Sequence, residues 1–186
     1  MDIVQVNNQI QRSKLFDEIK SNSLDLFKDL NGIHVIQKII KNIPVLEKYI
    51  FDLAEENLVA IATNKHGCCA LQKCLELADK THKMSLIDII IKNSIILMTD
   101  QFGNYVIQFI ISLKDENYTR EIIRAFKDNI EYLSKQKYAS NVIEKVSFIL
   151  IKYLFYYNKI KMHLFTIFQI DCCRSKFVFR FFLNLN

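Results

Sequence analysis

A seven-residue phrase returns four times in this chain, and that recurrence constrains the fold more than any other feature. It reads Asn31-Gly32-Ile33-His34-Val35-Ile36-Gln37, then His66-Gly67-Cys68-Cys69-Ala70-Leu71-Gln72, then Phe102-Gly103-Asn104-Tyr105-Val106-Ile107-Gln108, then Tyr138-Ala139-Ser140-Asn141-Val142-Ile143-Glu144. The closing residues Gln37, Gln72, Gln108 and Glu144 are 35, 36 and 36 residues apart. All three glycines of the chain occupy the same place in the phrase, with Ala139 standing there in the fourth copy. A fixed period of this length is the signature of a repeat architecture.

Each copy follows one local grammar. Ahead of the glycine lies a helix-length apolar-periodic segment, such as Leu46, Ile50, Leu53, Leu58 and Ile61, or Ile122, Ile123, Phe126, Ile130 and Leu133. Behind it comes a second helix, as at 104–113, where Val106, Ile107, Ile110 and Ile111 form a stripe and Asn104 and Gln108 share another face. The glycine at the join permits either a close backbone approach or a positive φ, and alanine is its mildest replacement. With three glycines and one proline in 186 residues, 51% of them hydrophobic, the chain has little turn-forming material and ample core. It reads as all-α. A helical unit of this size cannot bury its apolar face alone, so the copies are expected to stack into a right-handed superhelical solenoid of about four repeats.

Stacking would align equivalent side chains of the inner helices in three rows. The first holds Ile33, Cys68, Asn104 and Ser140; the second His34, Cys69, Tyr105 and Asn141; the third Gln37, Gln72, Gln108 and Glu144. Polar helix faces are ordinary at a solvent boundary. Gln or Glu at one position in every copy is not.

Charge leaves function open. The chain carries a formal +5, but residues 1–146 hold 19 basic and 19 acidic side chains, and the excess lies wholly in 147–186. Five cysteines without disulfide-scaffold spacing, and no charged then apolar leader, lead to the expectation of a reduced, intracellular protein. His66 with Cys68 and Cys69, and Cys172 with Cys173, lack the Cys-x-x-Cys or His-x3-5-His spacing of a zinc site, so no metal is expected. No phosphate-cradling loop, His-Glu-x-x-His or Gly-x-Ser-x-Gly occurs, and no general base accompanies Ser140 and Glu144. Neither catalysis nor a cofactor is expected.

The period, the glycine followed by Gln or Glu, and phrases such as Asp100-Gln101-Phe102-Gly103-Asn104-Tyr105-Val106-Ile107-Gln108 closely resemble the Pumilio (PUF) family of RNA-binding proteins. The resemblance covers 10–146, with repeats near 10–44, 45–81, 82–118 and 119–146 after a short extension at 1–9. It implies that each repeat reads one base of single-stranded RNA. By position, the first and third rows would touch the Watson–Crick edge and the second row would stack between bases.

Chemistry agrees with those roles. Guanine offers two adjacent donors on that edge, which suits the Glu144 carboxylate with the Ser140 hydroxyl beside it. A Gln amide matches adenine or uracil, and its first-row partner decides: by the family's pairing rule Asn104 with Gln108 resembles a uracil reader and Cys68 with Gln72 an adenine reader. Ile33 offers no polar atom, leaving Gln37 and the His34 ring to a poorly specified base. Tyr105 is the best stacking anchor; Cys69 provides less area. With the family's antiparallel polarity the order becomes guanine, uracil, adenine, as in a UGUA element. The resemblance further implies a monomeric, cytoplasmic binder of messenger RNA 3′-untranslated regions, free of membranes, that engages deadenylase or translational repressor proteins. Alternatives are a protein-binding scaffold, a ribosomal RNA biogenesis factor, or a truncated fragment that binds nothing.

Four motifs are half the family's usual eight, so lower stability and affinity are expected. Residues 147–186 break the pattern: they hold 11 of the 22 aromatics, and 28 of these 40 residues are Phe, Ile, Leu, Lys, Asn or Tyr, which reads as translated noncoding sequence. A diverged repeat would need a motif that is absent. Lys152, Lys159 and Lys161 interrupt the apolar run too early for a spanning helix.

Overall fold

The computed structural model describes residues 9–147. The extension and the aromatic tail, with the expectations attached to them, lie outside the described residues apart from their innermost positions. Among the described residues the chain is helix and turn with no strand, so the all-α expectation holds. None of these helices is long and apolar enough to cross a membrane.

The described residues divide into two compact units, one ending at Ile90 and one beginning at Ile91. The first contains α1 (Gln9–Lys28), α2 (Gly32–Asn42), α3 (Pro44–Glu56), α4 (Leu58–Ala62), α5 (Gly67–Leu77) and most of α6 (Lys80–Lys92). Here α1 packs on α2 and α3, and α2 lies against α5, so two inner helices are neighbours. The chain's proline opens α3, where its missing N–H costs nothing. Phe27, Ile36, Phe51 and Leu71 are fully buried in this core. Each is worth about 1.5–3 kcal/mol relative to exposure.

The second unit contains α7 (Ser94–Thr99), α8 (Gly103–Ser112), α9 (Glu116–Leu133) and a helical stretch at 139–147. Both α8 and α9 pack on α7 and on each other. Val106, Ile107, Ile110 and Ile111 are fully buried, as the stripe in the sequence requires. Lys114 turns the chain with φ 59°, a left-handed conformation that is uncommon for a side-chain-bearing residue. Asp115 then caps α9, its carboxylate accepting from the N–H groups of Asn117 and Tyr118.

One difference from the sequence reading concerns the segment before the glycine. The apolar pattern across 46–61 suggests one helix, whereas the chain breaks at Asn57 into α3 and α4, and at Asn93 into α6 and α7. Both asparagines sit near the bridge region, with φ, ψ of −111°, 21° and −99°, 12°. Asn57 Nδ2 donates to Leu53 O at 3.1 Å, sharing that carbonyl with the Asn57 backbone N–H, which donates to it at the same distance. Asn22 and Asn129 occupy the equivalent positions and bond the carbonyls of Glu18 and Ala125, both at 3.0 Å, inside the unbroken helices α1 and α9.

The glycines are explained by proximity. None has positive φ. A Cβ on Gly103 would fall 2.8 Å from Leu97 O, and one on Gly32 or Gly67 closer still to Leu26 O or Ile61 O. In the first three repeats the inner helix therefore starts against a carbonyl six residues upstream. Of the two explanations the sequence allows, close approach is the operative one.

Candidate nucleic-acid interface

A side-chain carboxylate or amide three residues before each glycine sets the first turn of each inner helix. Asp29 Oδ1 accepts from Asn31 N and Gly32 N, both at 2.8 Å. Asn64 Oδ1 accepts from His66 N at 2.9 Å and Gly67 N at 3.0 Å. Asp100 Oδ1 accepts from Phe102 N at 2.8 Å and Gly103 N at 2.7 Å. These Asx turns satisfy helix-start N–H groups that have no intrahelical partner. The fourth copy has Gln136 at this place and Ala139 for glycine.

The turn positions the first row. Cys68 Sγ lies 3.4 Å from Lys65 O, Asn104 Nδ2 donates to Gln101 O at 3.0 Å, and Ser140 Oγ donates to Lys137 O at 2.7 Å. In three repeats the first-row side chain thus points its donor at the carbonyl three residues back. What it leaves uncommitted is acceptor capacity, and of the three side chains only that of Ser140 is exposed. Ile33 cannot do this.

Burial separates the rows. In the first, Ile33 is half-buried, Cys68 and Asn104 are buried, and only Ser140 is exposed. In the second, His34, Cys69, Tyr105 and Asn141 are all exposed, Tyr105 at 52%. In the third, Gln37, Gln72 and Gln108 are half-buried and Glu144 is exposed. Asn104 uses its second amide proton on Asp100 O at 2.9 Å, and its Oδ1 accepts from Gln108 Nε2 at 2.9 Å. At this repeat the side chain offered to solvent beside Tyr105 is therefore Gln108.

Within the first unit, packing of α2 on α5 brings His34 and Gln37 onto a helix adjoining the one that carries Cys69 and Gln72. Within the second, α8 carries Asn104, Tyr105 and Gln108, and the stretch 139–147 carries Ser140, Asn141 and Glu144. Burial pushes the Cys68 thiol up to about 12, with neighbouring Cys69 adding to the effect, and burial alone does the same to Cys74. Burial also lowers the Lys145 ammonium, which follows Glu144 in sequence. No cluster of three or more His, Cys, Asp or Glu suited to a metal occurs among the described residues.

The Asx row at Asp29, Asn64 and Asp100 lies outside the glycine phrase, although its spacing of 35 and 36 is the same. The signal was a polar residue three places before each glycine.

Comparison with known proteins gives the repeats a context. The profile of the Pumilio-family RNA binding repeat matches residues 28–52, 57–91, 95–125 and 129–146. Pumilio homolog 12 of Arabidopsis thaliana is 38% identical over 134 residues, 72% of this chain and 22% of that protein. Pumilio homology domain family member 4 of Saccharomyces cerevisiae is 39% identical over 140 residues, 70% of this chain and 15% of that protein. The chain thus spans about a fifth or less of the length of these curated relatives. Among solved structures, the Puf4 RNA-binding domain bound to a 3′ UTR recognition sequence of HO endonuclease RNA is 35% identical with a TM-score of 0.66, over 82% of this chain and 51% of that one. The RNA-binding domain of yeast Puf5p bound to AAT2 RNA is 32% identical with a TM-score of 0.68, over 82% and 45%.

Proposed function

The chain belongs to the Pumilio family of RNA-binding repeat proteins, and from that premise we propose that it binds single-stranded RNA in a sequence-specific way, one base to each inner helix. The observation that carries this reading is the regular presentation of one Gln or Glu per repeat at the surface, next to an exposed second-row side chain on the same helix. Solved relatives bound to RNA support it.

Guanine falls to the fourth repeat. Ser140 gives its proton to Lys137 O, so its oxygen and the exposed Glu144 carboxylate present acceptors only. Of the bases, guanine supplies two adjacent donors on its Watson–Crick edge. At the third repeat Asn104 engages Gln108 Nε2, and the Gln108 amide keeps an acceptor oxygen and a second N–H, the complement of uracil's N3–H and carbonyl. Tyr105 provides the stacking surface. At the second repeat Cys68 and Gln72 take adenine, and the first repeat contributes little selection because Ile33 has no polar atom.

The target in this reading is a UGUA-containing element of a messenger RNA 3′-untranslated region, bound in the cytoplasm without catalysis. Repression of translation or messenger decay would follow through deadenylase or repressor proteins. The experiment is binding of the whole chain to a short UGUA RNA and to the same RNA with its guanine replaced, using wild type and Glu144→Gln. Wild type should prefer guanine and the variant should lose that preference. Equal binding of both RNAs by wild type, or none, sinks the reading and leaves a protein-binding scaffold in its place.

A further inference from the structure

Two free thiols sit side by side in the proposed RNA-reading surface. Cys68 Sγ and Cys69 Sγ are 3.9 Å apart at the start of α5, with Cys68 buried and Cys69 exposed. Adjacent cysteines are poorly placed for a disulfide. A trans peptide holds neighbouring Cα atoms about 3.8 Å apart, short of the roughly 4.4–6.8 Å that disulfides favour. A single bridging atom fits much better. With bonds of about 2.3 Å, the length of a zinc–thiolate bond, it spans 3.9 Å between sulfurs at about 116°, and a small rotation of the exposed Cys69 side chain narrows this to the pyramidal angle of a trivalent atom. No third His, Cys, Asp or Glu joins the pair among the described residues, so the ligand must need only two protein donors.

We infer that Cys68 and Cys69 form a dithiol site for a trivalent organoarsenical or an electrophile of like chemistry, and that its occupation removes the second repeat's hold on RNA. With an arsenic oxide R–As=O the balance is simple: two As–S bonds form, the As–O bond breaks, and both thiol protons leave in one water. Arsenic stays trivalent and nothing is oxidised. The bridge ties up the buried Cys68 sulfur and covers the exposed Cys69 in the stacking row. The effect on RNA rests on the proposed function; the chemistry of the site does not.

The test uses the whole chain with Cys172→Ser and Cys173→Ser in every arm, since that second adjacent pair lies outside the described residues. Phenylarsine oxide is the probe, and intact mass and UGUA RNA binding are both read. One adduct should form, resist a monothiol and leave with dithiothreitol, and RNA affinity should fall about tenfold, the equivalent of one stacked base. Adding Cys69→Ser, at an exposed position that folding tolerates, should make any adduct removable by the monothiol. Failure of the adduct to form, or the same resistant adduct on Cys69→Ser, overturns the site. An adduct that leaves RNA affinity unchanged overturns its effect on the repeat. If the untreated chain binds no RNA, the functional reading falls, while the mass measurement still decides the dithiol site.

Discussion

Gln108 Nε2 donates to Asn104 Oδ1 at 2.9 Å, joining the first and fifth residues of one inner helix into a single polar unit. Asn104 is fully buried and also bonds the carbonyls of Asp100 and Gln101, so it ties the reading surface to the turn that starts the helix. Asn104→Ala removes both donors and should cost about 1–3 kcal/mol, the penalty for buried polar groups left unpaired. Gln108→Ala, at a half-buried site, should cost less than about 1 kcal/mol. Urea denaturation of the two variants checks the ordering; equal losses would mean that Asn104 has no anchoring role.

Gly67→Ala sets two effects against each other. Helix propensity favours alanine over glycine by about 1 kcal/mol. A methyl group here would overlap Ile61 O, a backbone atom that cannot rotate away, and overpacking of this kind costs about 1–3 kcal/mol. Sterics should win, and the variant should melt at lower temperature than wild type. Ala139→Gly in the fourth repeat should destabilise by more than the roughly 0.5–1 kcal/mol of added backbone freedom, because it also removes a fully buried methyl group. A Gly67→Ala protein as stable as wild type would show that α4 and α5 separate easily.

Much of this arrangement is legible in the sequence because its period is carried by residues with no cheap substitute. Gly32, Gly67 and Gly103 recur where a helix starts against a carbonyl, and Gln37, Gln72, Gln108 and Glu144 recur at the surface beside them. The helix breaks at Asn57 and Asn93 are not legible. The apolar pattern runs through them, and asparagine at the same repeat position in α1 and α9 leaves those helices whole. Burial of Asn104 is equally hidden: Ser140 folds back onto Lys137 O just as Asn104 does onto Gln101 O, yet only Asn104 is buried, so burial here is set by packing and not by residue type or turn geometry.

The Cys74 thiol makes stability fall in alkali. Burial holds it protonated up to about 12, whereas in the unfolded chain it ionises near the ordinary thiol value of about 8.5. Between those values the unfolded state binds fewer protons than the folded one, so unfolding becomes easier as pH rises. Below about pH 8 the group is protonated in both states and contributes no slope. Urea midpoints at neutral pH and near pH 10 should differ more for wild type than for Cys74→Ala. An unchanged difference would place the alkaline loss elsewhere.

Tyr105 and Cys69 occupy the same place in successive repeats, and both are exposed, so the effect of an aromatic ring at this position can be measured from either direction. Stacking on one base is worth about 1–3 kcal/mol. Tyr105→Ala should therefore weaken UGUA RNA binding by about 5- to 150-fold while leaving stability nearly unchanged, since the ring is 52% exposed. Cys69→Tyr should move affinity the opposite way, because a ring replaces a small sulfur without entering the core. The two changes lie on different helices and should add when combined. If Tyr105→Ala binds as tightly as wild type, the second row does not stack on bases, and the edge contacts of Gln108, Ser140 and Glu144 would have to supply the whole affinity.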